Sequence, residues 1–177
     1  MTKKIMFNDK YCLTQAVLAG QKTMTRRVLK GNTQKHLPYK VGEIVAIAQR
    51  YKELYPNADF EMVGNGFMTE SAGWNNKMFV RANLMPHHIK ITDVKVERLQ
   101  DISDEDIMRE GIRKESYAGG CMYFYNKTYI RKGKANVEPI YNTTPMRAFA
   151  SLIYKVRGGK VWRDNPLVVA YSFELVD

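Results

Sequence analysis

The chain has few of the residues that would build a metal centre or a disulfide framework. Its 177 residues include only 2 cysteines and 3 histidines. His36, His87 and His88 have no metal-ligand spacing with one another or with Cys12 and Cys121, so we expect no metal and no other cofactor. The two cysteines are expected to be reduced thiols.

Long apolar runs are also missing. No stretch approaches the length of a transmembrane helix, and no signal-peptide pattern opens the chain, so we expect a cytoplasmic protein with no membrane partner. Hydrophobic residues still make up 45% of the sequence, enough to bury one core. Without a linker or repeat, we predict a single domain over residues 1–177, with a polar, glycine-rich long loop at 57–77. The oligomeric state cannot be predicted.

Negative charge is scarce as well. The chain has 18 acidic and 28 basic residues, which gives a formal net charge of +10. Such an excess favours a polyanionic partner, because each neutralised phosphate releases counterions. Solubility is the alternative explanation. Charge alone does not separate RNA from DNA, or either from a small phosphorylated ligand.

The most informative segment is Gly20 to Arg27, which reads Gly-Gln-Lys-Thr-Met-Thr-Arg-Arg. It follows a short amphipathic stretch that is predicted to be a helix ended by Gly20 in the left-handed conformation. The turn has three interpretations: a solvated basic loop, an anion site of Lys22, Arg26 and Arg27, or a nucleophilic site. In the third, a lysine with a depressed pKa takes the proton of Thr25, and a helical turn would bring Lys22 and Thr25 together.

A further candidate group is the carboxylate of Glu110. Ser103 is predicted to cap a short helix whose first turn is acidic, which suits the helix dipole. Glu110 lies at the other end, just before Gly111, where the dipole disfavours negative charge. A carboxyl group tuned toward neutrality suits general acid–base chemistry, whereas a surface glutamate at a frayed helix end is the alternative.

The remaining pattern is β-rich. The clearest long strand is 89–99, in which the isoleucines and the following valines occupy opposite parities, so a β-bulge is predicted near Thr92-Asp93. A short edge strand is expected at 80–83. The last strand, 167–176, alternates, and we expect its core face to consist of Leu167, Val169, Tyr171, Phe173 and Leu175.

Between these strands a helix is predicted to begin at a Thr144 cap followed by Pro145. Its buried face would be made of Phe149, Leu152, Ile153 and Val156, and Gly158-Gly159 would end it.

Several of these segments resemble the ASCH domains, which are small β-barrels similar to PUA RNA-binding domains. Gly20, Lys22, Thr25 and Arg27 resemble the glycine–lysine–arginine signature of that family. Further similar segments follow in order: Pro38–Glu43, Met85–Pro86, Val94–Ser103, Glu110–Ile112 and Trp162–Pro166. The resemblance is greatest to the longer ASCH proteins of bacteria and phages. It implies a mixed α/β, β-rich fold, a PUA-like ASCH barrel with peripheral helices.

Some small ASCH proteins are amidohydrolases that remove the acetyl group from N4-acetylcytidine, and Lys22, Thr25 and Glu110 resemble their site. The resemblance implies that Lys22 deprotonates Thr25, whose hydroxyl attacks the acyl carbonyl. Glu110 would then protonate the leaving amine or position water. A backbone amide or Arg27 would stabilise the oxyanion.

The chain departs from the longer ASCH proteins in two places. Their tryptophan–valine–arginine–glutamate run is replaced here by Val45–Gln49, in which Gln49 keeps a polar group. After Met85-Pro86, Lys90 keeps a positive charge but lacks the planar fork of arginine.

Two functions therefore stay open. One is the binding of RNA, or of a modified nucleoside or nucleotide, in a basic cleft where an aromatic residue such as Trp74, Tyr51 or Trp162 stacks on a base. The other is hydrolysis of N-acylated cytidine or a similar small amide. A protein partner is a third possibility for which the sequence offers no surface. The residues expected to bind the ligand are Lys22, Arg26, Arg27, Gln49, Lys90 and Trp74.

Overall fold

The structure is a computed structural model that describes residues 3–29, 31, 37–58 and 62–177. Its largest sheet has five strands, β1 (Lys4–Ile5), β2 (Met24–Val28), β3 (Ile44–Ile47), β6 (His88–Arg98) and β10 (Leu167–Leu175), in the order β1-β3-β6-β10-β2. The pair β1–β3 is parallel and the other pairs are antiparallel. Together with the helices, this confirms the mixed α/β class. The pairings among the described residues leave β1 and β2 as open edges, so they do not close the predicted barrel.

The predicted β-bulge is confirmed in β6. Ser172 of β10 pairs with Asp93, but the next residue, Phe173, pairs with Ile91. Thr92 is therefore the extra residue on β6. The bulge lets apolar residues on both sides of it contact one core cluster, which the uninterrupted alternation of a strand would prevent.

The prediction of a single core face for the last strand is wrong. Every residue from Val168 to Phe173 is buried, whereas Leu167 and Leu175 are 40% and 37% exposed. The reason is that β10 lies between β6 and β2, and both of its faces are covered. Tyr171 contacts the core cluster on one face, and Val168 contacts a second cluster on the other.

The described residues include five α-helices. They are α1 (Leu13–Leu18), α2 (Tyr51–Leu54), α3 (Asp104–Arg109), α4 (Pro145–Arg157) and α5 (Gly159–Asp164). The start of α4 is confirmed, because the Thr144 hydroxyl accepts a hydrogen bond from the backbone N–H of Arg147. The predicted Ser103 cap of α3 is confirmed by the same kind of bond, from the backbone N–H of Asp106.

Helix α1 has only six residues. It is preceded by a 3₁₀ turn at Asp9–Tyr11 and by Cys12, which is in the left-handed conformation with φ of 54°. The predicted left-handed Gly20 is confirmed, with φ of +69°.

A second, three-stranded antiparallel sheet accounts for the tyrosine-rich part of the chain. It contains β7 (Arg113–Tyr117), β8 (Gly120–Arg131) and β9 (Lys134–Asn142). The buried Tyr125 on β8 fixes this sheet to α4, because its hydroxyl forms a 2.8 Å hydrogen bond with the hydroxyl of Ser151.

The segment predicted as a long loop, 57–77, is largely structured. It contains the hairpin of β4 (Met62–Val63) and β5 (Gly66–Phe67), followed by 3₁₀ turns that begin at Met68, Ala72 and Lys77. His36 and residues 59–61 lie outside the described part of the chain. The predicted edge strand at 80–83 is wrong, since a 3₁₀ turn occupies Ala82–Leu84. Within the described residues, we find no helix with the length and apolarity needed to cross a membrane.

Candidate functional site

Five of the predicted site residues line one pocket. The pocket encloses about 500 Å³, including its open mouth, and its polar lining is provided by Lys22, Thr25, Arg26, Arg27 and Glu110. Its apolar lining includes Phe7, Leu13 and the face of α4 made of Phe149, Leu152, Ile153 and Val156. The helix face that the sequence predicts as core is therefore also one wall of a cavity.

Lys22 and Thr25 reach this pocket by a different route from the predicted helical turn, which is wrong. Lys22 lies just before β2 and Thr25 lies within it. The chain is fixed there because Lys22 N–H donates to Ala16 O and Thr23 N–H donates to Arg109 O, both at 2.9 Å. The two side chains share the pocket because β2 is an edge strand whose start is tied to the end of α3.

Lys22 and Glu110 form a buried ion pair at the closed end of the pocket. Lys22 Nζ donates to Glu110 Oε2 at 2.6 Å and to the backbone oxygen of Glu110 at 2.8 Å. Their side chains are only 2% and 7% exposed. Burial lowers the pKa of Lys22 below its usual value, although the charge and hydrogen bond of Glu110 oppose this effect.

Arg26 holds the other oxygen of Glu110. Its Nη1 donates to Glu110 Oε1 at 3.0 Å, and its Nη2 lies 2.5 Å from Glu97 Oε1 and 3.2 Å from Asp106 Oδ2. Lys95 extends this network, at 2.9 Å from Asp106. Glu110 is therefore held between two buried cations, with Lys22 on one carboxylate oxygen and Arg26 on the other.

Arg27 lies on the opposite side of β2 from Arg26. On β10, Arg27 pairs with Val169 and Thr25 pairs with Tyr171. Because Arg27 and Thr25 are two residues apart on the strand, their side chains lie on the same face. Arg27 Nη2 donates to Met6 O at 2.6 Å. The two adjacent arginines therefore differ in role: Arg26 contacts carboxylates, and Arg27 contacts backbone and pocket.

Sequence reasoning missed Arg157, the last residue of α4. It lines the pocket beside Arg27, and its proximity is one of the causes, after burial, that lower the pKa of Arg27. A basic residue at a helix end is common, so no local pattern marks it. Only the packing of α4 over β2 brings it to the site.

The other three predicted ligand-binding residues do not line this pocket. Gln49 follows β3, and its buried Oε1 has no hydrogen-bond partner among the described residues. Lys90 is exposed on β6. Trp74 packs against a separate apolar cluster that contains Tyr51 and Met68. Trp162, another stacking candidate, packs edge-on against Phe149.

The arrangement combines an apolar cavity with a few convergent polar groups, as small-molecule sites do. A buried lysine of lowered pKa that shares a pocket with a hydroxyl group is suited to proton transfer. In the part of the chain that the structure describes, no group of three or more His, Cys, Asp or Glu side chains is arranged to hold a metal ion.

Two solved structures show distant similarity to this chain. No family model and no curated protein matches the chain. The solved ASCH domain from Lactobacillus crispatus JV V101 is 12% identical with a TM-score of 0.48, over 98% of this chain and 78% of that chain. Protein EF3133 from Enterococcus faecalis V583, a DUF984 protein, is 14% identical with a TM-score of 0.47, over 93% of this chain and 67% of that chain. One of the two is an ASCH domain, the family that the sequence motifs resemble, but similarity at this level assigns neither a family nor a function to the chain.

Proposed function

We propose that the pocket binds a nucleoside or nucleotide that carries an N-acyl group, and that Lys22, Thr25 and Glu110 hydrolyse the amide bond of this ligand. The observation that carries the proposal is the buried Lys22–Glu110 pair, which lines the same apolar pocket as Thr25. The ASCH-like motifs of the sequence add the substrate class.

The burial of the polar groups favours a small ligand over a nucleic-acid strand. Lys22, Thr25 and Glu110 are all buried at one end of the pocket, so a ligand must enter a cavity to reach them and cannot lie along a surface. The apolar side chains of Phe7 and Val156 can contact a base or the acyl group. The buried polar groups can select one ligand over another by hydrogen bonding.

The reaction begins with proton transfer. Lys22, as the neutral amine, accepts the hydroxyl proton of Thr25 while the Thr25 oxygen forms a bond to the acyl carbon. The carbonyl electrons move to oxygen, and a backbone N–H stabilises the resulting oxyanion. The C–N bond then breaks as the proton passes to the leaving nitrogen, directly from Lys22 or through Glu110.

An acyl ester on Thr25 remains after the amine has left. A water molecule loses its proton to the same Lys22–Glu110 pair and attacks the ester carbon. The acyl group then leaves as a carboxylic acid, and Thr25 regains its proton. The 2.6 Å contact between Lys22 and Glu110 supports a shared proton at each step.

Hydrolysis of N4-acetylcytidine by the purified protein tests the proposal. We expect turnover by the wild type, a loss of about 10³-fold or more in kcat for Thr25→Ala, and partial retention for Thr25→Ser. Thr69→Ala, in a 3₁₀ turn outside the pocket, is the matched control and should leave turnover unchanged. No turnover by the wild type, or equal turnover by Thr25→Ala, would exclude the mechanism.

RNA binding is a second candidate that one observation favours. Arg131, Lys132 and Lys134 are exposed at the turn between β8 and β9. Lys127 lies earlier on β8 and is partly buried, 3.6 Å from Glu138. Such a cluster can contact phosphates without base specificity. This function would be supported if the affinity for a single-stranded RNA falls steeply as the salt concentration rises. It would be supported further if changing these residues to glutamine lowers the affinity. Salt-independent binding would count against it.

A further inference from the structure

Two arginines lie together at the open side of the pocket. Arg27 on β2 and Arg157 at the end of α4 both line the deep pocket and a shallower cavity of about 570 Å³ that shares the same wall. The side chains of Lys22 and Glu110 at the closed end are only 2% and 7% exposed, whereas Arg157 is exposed. The pocket therefore has a buried reactive end and a cationic mouth.

Neither of these two arginines is in direct contact with a carboxylate among the described residues. No carboxylate in the described part of the chain lies within salt-bridge distance of Arg27 or Arg157, although Arg26, the residue next to Arg27, contacts the carboxylates of Glu97, Asp106 and Glu110. The carboxylates near β2 thus serve the network on one face of the strand. On the other face, Arg27 has Glu110 as a neighbouring charge, which opposes the lowering of its pKa by burial, but it has no carboxylate in direct contact among the described residues.

This placement costs free energy in the unliganded protein. Burial lowers the pKa of Arg27, and the positive charge of Arg157 lowers it further. Like charges in a partly desolvated site repel each other, and an anion between them would reverse the sign of the interaction.

Ordinary structural roles explain only part of the arrangement. A cation in the last turn of α4 suits the helix dipole, but exposed Lys155 in that turn already supplies one. Arg27 is held by its bond to Met6 O and lies 6.0 Å from the centre of the Phe7 ring. That bond uses one of the five N–H donors of a guanidinium group, so others remain for a ligand.

We infer that Arg27 and Arg157 bind the terminal phosphate of the ligand, so that the natural ligand of the pocket is a nucleotide and not a free nucleoside. A phosphate monoester carries a charge of about −1.5 to −2 at pH 7 and three acceptor oxygens, which matches two guanidinium groups better than a singly charged phosphodiester does. The base and its acyl group then extend toward Lys22 and Thr25. The inference rests on the proposed nucleoside class of ligand, but not on the hydrolytic step.

Calorimetric titration with CMP and cytidine tests this inference, because it measures binding and not turnover. At low salt, we expect the wild type to bind CMP at least about tenfold more tightly than cytidine, since charge-assisted hydrogen bonds from two guanidinium groups to a phosphate are stronger than neutral ones. Arg157→Gln should reduce this ratio severalfold and leave the affinity for cytidine unchanged. Arg163→Gln, an exposed arginine on α5 that does not line the pocket, should leave the ratio as in the wild type.

Four outcomes would overturn the inference. They are undetectable binding of CMP to the wild type, equal affinity for CMP and cytidine, a ratio that Arg157→Gln does not change, and tighter binding of the dinucleotide CpU than of CMP. Failure of the proposed hydrolysis is a separate result, because an inactive protein that still prefers CMP through Arg157 keeps the phosphate site and loses only the chemistry.

Discussion

Replacing Glu110 with glutamine tests the buried ion pair on which the site depends. The substitution keeps the shape of the side chain but removes the only carboxylate that contacts Lys22 among the described residues, while Arg26 keeps Glu97 and Asp106. The cost should therefore come mainly from one uncompensated ammonium group, whose side chain is 2% exposed. Breaking a buried pair in this way costs about 3–5 kcal/mol.

The pH sets an upper limit on that cost. In the variant, Lys22 avoids the cost of an unpaired buried charge by losing its proton. Deprotonation costs about 1.36 kcal/mol for each pH unit between the solution pH and the usual lysine pKa of 10.5. It therefore costs about 4.8 kcal/mol at pH 7 and about 2 kcal/mol at pH 9. A lysine whose pKa is lowered in the folded state binds more protons when unfolded, so stability rises with pH between the folded pKa and 10.5. Glu110→Gln should extend this window to lower pH and should destabilise less at pH 9 than at pH 7.

Urea unfolding of a double-mutant cycle measures the effect. At pH 7, Lys22→Met should cost less than Glu110→Gln, because Arg26 still contacts Glu110 at 3.0 Å. The double variant should be more stable than Glu110→Gln alone. The same cycle at Lys160 and Asp164, whose side chains are 79% and 52% exposed, is the control and should show coupling within about 0.5 kcal/mol. Additive losses at the buried pair, or a loss that is equal at pH 7 and pH 9, would refute the reasoning.

Three further predictions concern the same region. If neutral Lys22 is the base, kcat/KM for an N-acylated substrate should rise with pH along a limb whose midpoint lies below 10.5, and a flat profile between pH 6 and 9 would contradict this role. Gly111→Ala should cost about 1–2 kcal/mol in thermal or urea unfolding because φ is +101° there. The added Cβ would lie 3.5 Å from Lys22, an ordinary contact distance, so Gly133→Ala, with φ of +74° and open space around it, should lose a similar amount, and a much larger loss for Gly111→Ala would contradict this reasoning. Thr144→Ala should cost about 1 kcal/mol through loss of the 3.2 Å cap bond to the Arg147 N–H, whereas Thr143→Ala, at a hydroxyl that contacts only a side chain, should cost less.

The sequence predicts best those features that a short stretch determines by itself. The Thr144 cap, the left-handed Gly20 and the bulge at Thr92 are local, because a hydroxyl before a proline, a glycine after an apolar stripe and a change of parity each have one favourable local solution. The structure confirms all three. Burial of both faces of β10 could not be predicted in this way, because it depends on which strands lie on either side.

The candidate site divides along the same line. Lys22 and Thr25 attract attention because they are close in sequence, yet the helical turn that would have joined them is absent and a strand brings them to the pocket. Only the family resemblance places Glu110 in the same site as Lys22 and Thr25. No feature of the sequence places Arg157 there. Lys90 and Gln49 were predicted to bind ligand from the alignment of motifs, but the pocket does not include them.

Arg26 connects the charge network to the chemistry of the pocket. A lysine can act as a base only if its pKa is low, and burial provides this effect while a carboxylate partner opposes it. Glu110 alone would favour the ammonium form of Lys22. Because Arg26 contacts the second oxygen of Glu110 and repels Lys22, it limits how far Glu110 can raise the pKa of Lys22. Lys22 and Glu110 can therefore stay buried together while the proton is not held permanently by the lysine. Sharing a proton between the two side chains requires this condition.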